Sequence, residues 1–228
     1  MSATPRHTSR ARIEAKESTI LDAAEKIFAR AGFDGAKVSD IARAASVAEG
    51  TVYLYYNNKQ DLLTGVVGRF WTQLTLGAEA AIEPDTTTIG QLEQLGRYHL
   101  QSILNQFEVV SLTYRARPQQ EQDLDQVREY VRVFDRIMQR GVDRGELPKQ
   151  TPIGQLRDVF FGTLEFSART LKLRDRPYDH SVVTNLLTIM VGSSNAAAAA
   201  PKGKEPSNRD LMNTLKSIQR QLKTSDDS

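Results

Sequence analysis

Apolar residues return at helical spacing along most of the chain. Ile20, Ala24, Ile27, Phe28 and Ala31 fall at i, i+4, i+7, i+8 and i+11, one face of a helix. Gly32 follows where a C-cap belongs, with Phe33 as the apolar residue that accompanies such a cap. This predicts a first helix over 14–31. Val38, Ile41, Ala42 and Ala45 turn inward on a short helix near 38–45. A third helix over 49–55 runs through Thr51, Val52, Tyr53 and Tyr55. Asn57 and Asn58 break it, and Asn58 is placed to cap a fourth helix from Lys59 to about Ile82. That helix carries Leu62, Leu63, Val66, Val67, Phe70, Trp71 and Leu74, and Glu83-Pro84-Asp85 follows it.

The same period predicts helices at 91–106, 107–116 and, past Pro118, 120–144, the last ended by Gly145. Thr151 as cap and Pro152 at the first helical position open the next, which runs to about Leu173. Its apolar positions are Ile153, Leu156, Val159, Phe160, Leu164 and Leu171. A helix over 179–191 places Val183, Leu186, Leu187 and Met190 on one side. No strand alternation bounded by hairpin signals appears, so the chain reads as all-α.

The ends differ from this body. Residues 1–13 form a polar arm with Arg6, Arg10 and Arg12, read as mobile: a frayed terminus, or an arm that reaches phosphates or a minor groove. Residues 193–208 read as a low-complexity linker. In 209–228, Leu211, Leu215, Ile218 and Leu222 mark a short tail helix with a heptad-like stripe. It packs on the body, pairs with a partner chain or dangles.

Composition narrows the chemistry. With no Cys, there is no thiolate zinc site, iron–sulfur ligand or thiol nucleophile. His7, His99 and His180 are too far apart for an HExxH-type site. The chain has no P-loop, GxGxxG or nucleophile elbow, so neither enzyme activity nor a cofactor or metal is expected. No apolar run approaches a membrane span of ~18 residues, and the N-terminus lacks the apolar region of a signal peptide. A cytoplasmic protein is expected. The net charge of +2 leaves a nucleic-acid partner open, because placement of charge decides that question.

The informative stretch is 38–59, VSDIARAASVAEGTVYLYYNNK. Two short amphipathic helices meet at a tight turn near Ser46. Val38, Ile41, Ala42, Val47 and Val52 bury one face, and Glu49, Gly50, Thr51, Tyr53, Leu54 and Tyr55 lie on or near the outer side. This is a helix-turn-helix pattern, in which the second helix offers its N-terminal residues to a major groove.

Over residues 14–67 the chain resembles the TetR family of transcriptional regulators. The resemblance is carried by Asp40-Ile41-Ala42, Ala45, Val47, Gly50-Thr51-Val52-Tyr53, Tyr55-Tyr56, Lys59 and Leu62-Leu63. It implies a three-helix DNA-binding domain over 14–58 and a helical ligand-binding and dimerisation domain over 59–192. It also implies phosphate contacts from Tyr53 and Lys59, and recognition-helix positions for Glu49, Gly50, Thr51 and Tyr55. Lys37 and Ser39 are further phosphate donors, and Tyr56, where the family usually has Phe, is a core residue. The chain departs from the pattern at Ser46, usually Gly, at Ala48, usually a small hydroxyl residue, and at Lys37, usually Ser or Thr. A non-Gly residue in the left-handed turn costs roughly 1 kcal/mol.

Within that family the body is similar to acyl-CoA-responsive repressors of fatty-acid degradation. Gly50–Tyr55, Gly145-Glu146-Leu147, Phe160–Glu165 and Tyr178-Asp179 carry this likeness. The implied function is a repressor that binds a palindromic DNA operator as a homodimer through the last two body helices. A small hydrophobic effector, here a long-chain acyl-CoA, releases it. Arg115, Arg117 and Arg169 are candidates for the CoA phosphates, with surface ion pairing as their alternative role. Tyr98 and His99 are candidate ligand contacts, with a core or surface role as theirs. The alternatives are a TetR-like regulator of efflux or other metabolic genes with another hydrophobic ligand, and a ligand-blind DNA-binding protein.

Overall fold

The computed structural model describes residues 5–113 and 125–199, and no strand occurs among them. Nine helices lie in this part of the chain: α1 (Pro5–Gly35), α2 (Val38–Ala44), α3 (Glu49–Tyr53), α4 (Lys59–Ala81), α5 (Thr88–Asn105), α6 (Phe107–Thr113), α7 (Asp125–Asp143), α8 (Ile153–Leu173) and α9 (Ser181–Ala199). Two compact units divide between Thr188 and Ile189. Of the second unit, the described backbone is helical to Ala199.

In α1, Ile20, Ala24 and Phe28 are buried, as the periodicity requires, but Ala31 is exposed. Gly32 takes φ 69°, ψ 171° and breaks the helix there. Phe33 then folds back to within 5.8 Å of Phe28, the contact expected after such a cap. α2 packs on α1 and α3 packs on α2, with Ile41, Ala42, Val52 and, just past α2, Ala45 buried. α4 leaves this unit with Asn58 as its N-cap, whose side chain accepts from the Asp61 N–H at 2.8 Å. α4 then packs on α5 and α7, and α8 packs on both of those. Phe134, Phe160 and Phe161 form the aromatic centre of this bundle.

Several boundaries differ from expectation. α1 starts at Pro5, so most of the arm expected as mobile over 1–13 is helical; Pro suits a first turn, and Arg10 pairs with Glu14 at 2.8 Å. α3 ends at Tyr53 rather than 55. α5 starts at Thr88 rather than 91, because Thr87 caps it and Glu146 accepts the Thr88 N–H at 2.6 Å. α8 starts at Ile153; Thr151 does not cap it but donates its hydroxyl to the Pro148 carbonyl at 2.6 Å. α9 runs to Ala199, so the expected linker over 193–208 opens as helix. Val159, expected inward, is exposed. The expected start of the helix at 120 and the tail helix lie outside the described residues.

Candidate nucleic-acid interface and effector cavity

The turn between α2 and α3 is built on Ser46. Its φ of 55° places it in the left-handed region, as expected for this position. Its N–H donates to the Arg43 carbonyl at 3.1 Å, and the Val47 N–H donates to the Ala42 carbonyl at 2.9 Å. These bonds satisfy α2's last carbonyls in the manner of a glycine cap. Ala48 then opens α3 without a side-chain cap, as Lys37 opens α2.

This turn sets the outward face of α3. Glu49 and Gly50 are exposed, Thr51 is partly exposed and Tyr53 is 46% exposed. Leu54 beyond it is 84% exposed. A Cβ on Gly50 would meet nothing within 4 Å, so packing within the chain does not require glycine there. Tyr55 and Ser39 are half-buried, and Lys37 is exposed at the start of α2. The structure therefore brings Lys37, Ser39, Glu49, Gly50, Thr51 and Tyr53 to the helix-turn-helix.

Lys59 stands apart. Its ammonium donates to the carbonyls of Phe33 at 2.8 Å, Ala36 at 3.0 Å and Asp34 at 3.3 Å. It also lies 4.6 Å from the centre of the Phe33 ring. An ammonium has three donors, and here each meets a carbonyl in the α1–α2 connection. The side chain expected on a phosphate caps the end of α1 in this structure.

Two further sets of contacts tie α4 and the segment before it to α1, and neither shows in local spacing. The Tyr56 hydroxyl donates to Glu17 at 3.0 Å. Burial, with this bond, pushes its pKa well above the ordinary tyrosine value. Tyr56 is thus half-buried structure, as expected. Arg69 donates to Asp22 at 2.6 Å, Glu25 at 2.8 Å and the Ser18 carbonyl at 3.2 Å. These bonds link the segment before α4 and the middle of α4 to α1.

The body holds a cavity of about 580 Å³ between α5, α6 and α8. Ile103, Phe107, Val110, Phe166 and Leu173 give it apolar walls, and Glu165 and Arg169 stand among them. α6, which forms one wall, also packs directly on α1. Arg169 is an exposed residue at the rim of this cavity. His99 is fully buried behind the wall, one turn before Ile103, bonded to Tyr130 at 2.6 Å. Tyr98 faces elsewhere: its hydroxyl packs on Gly77 of α4, where a Cβ would come within 1.9 Å. Arg115 and Arg117 lie outside the described residues.

Among the described residues no group of three or more His, Asp or Glu is placed to hold a metal ion. No described helix is long and apolar enough to cross a membrane.

Known proteins match along both parts of the chain. Residues 20–66 match the family described as bacterial regulatory proteins, tetR family, and residues 73–192 match the C-terminal region of YsiA-like protein. The fatty acid metabolism regulator protein of Bacillus subtilis is 27% identical over 75% of this chain and 90% of its own. Among solved structures, the fatty acid degradation regulator FadR of Bacillus halodurans superposes with a TM-score of 0.66 at 25% identity, over 77% of this chain and 97% of the other. FadR of Bacillus subtilis, solved in complex with stearoyl-CoA, gives 0.65 at 26% identity, over 76% and 97%. A helix-turn-helix with an open α3 face, carried on a helical body that matches along its length, places this chain in the TetR family of DNA-binding transcriptional regulators.

Proposed function

We propose that this regulator is a repressor of fatty-acid degradation genes, released from its operator by a long-chain acyl-CoA. The observation that carries the reading is the position of the cavity: its wall helix α6 is also a packing partner of α1 in the DNA-binding unit. An acyl chain between α5, α6 and α8 displaces α6, and with it α1 and the recognition helix α3. Arg169 supplies a fixed positive charge for the CoA phosphates. The relative solved with stearoyl-CoA supports this ligand class.

DNA contact follows from the exposed face. Tyr53, Thr51 and Gly50 approach the groove and backbone, and Lys37 and Ser39 meet phosphate at the start of α2. Lys59 acts on DNA through the geometry it imposes on the α1–α2 connection. The active species is a homodimer, joined along α8 and α9. Val159, Phe166 and Leu173 recur every seven residues on α8, all exposed, and form an apolar stripe that a second copy covers, closing the open side of the cavity where Phe166 and Leu173 form its rim. Two recognition helices then meet two half-sites of a palindrome.

Thermal unfolding with stearoyl-CoA, free CoA and stearate tests the ligand. A ligand at a hundred times its Kd adds about 2.7 kcal/mol, which raises Tm by roughly 5–10 °C for a chain of this size. The expected result is a shift of that size with the thioester alone. An unchanged Tm at saturating thioester contradicts the reading.

A further inference from the structure

Three polar side chains are buried among the described residues: Thr88, Gln91 and His99. Gln91 is fully engaged, donating to the carbonyls of Glu83, Pro84 and Thr86 and accepting from Arg140. His99 is not. Its Nδ1 lies 2.6 Å from the Tyr130 hydroxyl, while its Nε2 has no hydrogen-bond partner.

The protons on this pair follow from counting. If the hydroxyl donates to Nδ1, the ring proton sits on Nε2, and one donor is left unserved. If Nδ1–H donates to the hydroxyl oxygen, the hydroxyl proton and Nε2 are both left unserved. The first arrangement is the cheaper, since each unmet buried group costs free energy. Burial also keeps the imidazole neutral, with its pKa depressed to about 3. Nε2 is therefore an N–H donor held in an apolar surround and in need of an oxygen.

The ring lies one layer of side chains behind the lining of the cavity. Ile103, one helical turn along α5 from His99, lines it. The Phe161 ring, 5.0 Å from the imidazole, precedes Gly162, which also lines it. Burial raises the Tyr130 hydroxyl pKa well above its ordinary value, and Tyr98 and the lining residue Glu165 raise it further. On the opposite side, Tyr130 meets Trp71 of α4 at 5.7 Å between ring centres.

We infer that His99 is the polar anchor of this cavity, its Nε2–H donating to the carbonyl oxygen of an acyl thioester while Tyr130 fixes the tautomer. The inference rests on the acyl-CoA reading above and assigns that ligand its hydrogen-bond donor. The acyl chain reaches the imidazole by displacing the lining side chain Ile103 and the Phe161 ring behind it. Because Tyr130 packs on Trp71, seating the carbonyl is felt on α4.

Two probes separate this from simple apolar binding: stearoyl-CoA and its thioether S-octadecyl-CoA, which lacks only the carbonyl. Trp71 is the sole tryptophan, so its fluorescence reads the binding of each. Wild type is expected to bind the thioester roughly tenfold tighter than the thioether. His99→Phe, which removes the donor, is expected to bind both with the affinity of wild type for the thioether. His99→Gln, which restores an amide N–H near the Nε2 position, is expected to keep a preference for the thioester. Equal binding of both probes by wild type overturns the inference, since Nε2–H is then served by a buried water, and leaves the acyl-CoA reading standing. A preference that survives in His99→Phe also overturns it. Binding of neither probe overturns the acyl-CoA reading and this inference together.

Discussion

The ammonium of Lys59 donates to the carbonyl of Phe33 at 2.8 Å and lies 4.6 Å from the centre of the same residue's ring. One side chain at the start of α4 thus holds the end of α1 and the first residue beyond it. Lys59→Met keeps the aliphatic stem and removes the donors. It is expected to lower stability by about 1–2 kcal/mol, since charge-assisted bonds to two partly buried carbonyls and one exposed carbonyl are lost. Urea unfolding measures this. A purely phosphate-binding lysine would leave stability unchanged and weaken only DNA binding.

The outward face of α3 makes the opposite prediction. Gly50→Ala meets no neighbour within 4 Å and has a better helix former in place of glycine. Stability is expected to hold or rise by up to about 1 kcal/mol, while DNA affinity at matched salt falls roughly tenfold, because the backbone can no longer approach. Tyr53→Ala is expected to weaken DNA binding with little change in Tm. Unfolding curves beside fluorescence anisotropy on operator DNA separate the two effects.

Ser46 and Ala48 depart from what their positions favour. Ser46 holds φ at 55° and Ala48 opens α3 with no side-chain acceptor. Ser46→Gly is expected to stabilise by about 0.5–1 kcal/mol, and Ala48→Ser by about 1 kcal/mol through a new N-cap. Each raises Tm by roughly 2–4 °C per kcal/mol in a chain of this size.

The buried His99 gives the protein an acid-sensitive core. Its folded-state pKa is depressed to about 3 from an ordinary 6.5, so the unfolded chain binds this proton more readily. The sign follows: the neutral ring's contribution is intact above pH 6.5 and is lost as pH falls toward 3. The slope approaches about 1.4 kcal/mol per pH unit inside that window. Denaturant titrations of wild type and His99→Leu at pH 7, 6 and 5 should show wild type losing more stability on acidification. Parallel pH profiles would contradict the assignment.

Local chemistry made much of the fold legible. Asn58 as a cap, Gly32 and Gly145 at positive φ, and the buried faces of α2 and α4 all follow from spacing within one or two turns. The contacts that position the DNA-binding unit do not. Lys59 meets partners 23 to 26 residues earlier, Tyr56 meets Glu17 across 39, and Arg69 meets Asp22 and Glu25 across 47 and 44. Only packing of α4 on α1 creates those pairs. α8 was hard to read for another reason: it is apolar on more than one side. Phe160 and Leu164 face the core, while Val159 and Phe166 are exposed. Among the candidate ligand residues, Arg169 lines the cavity and Tyr98 does not. The separation of Tyr98 from the cavity depends on the close approach of Gly77.

The central claim is that acyl-CoA occupancy of the body releases DNA. The most direct test selects duplexes from a random library with the full-length protein, then titrates the best one by fluorescence anisotropy at fixed salt, with and without stearoyl-CoA. The account predicts a palindromic site bound by a dimer, and an affinity at least tenfold weaker with stearoyl-CoA while free CoA has no effect. A selected site whose affinity is the same with saturating stearoyl-CoA as without it would contradict the account.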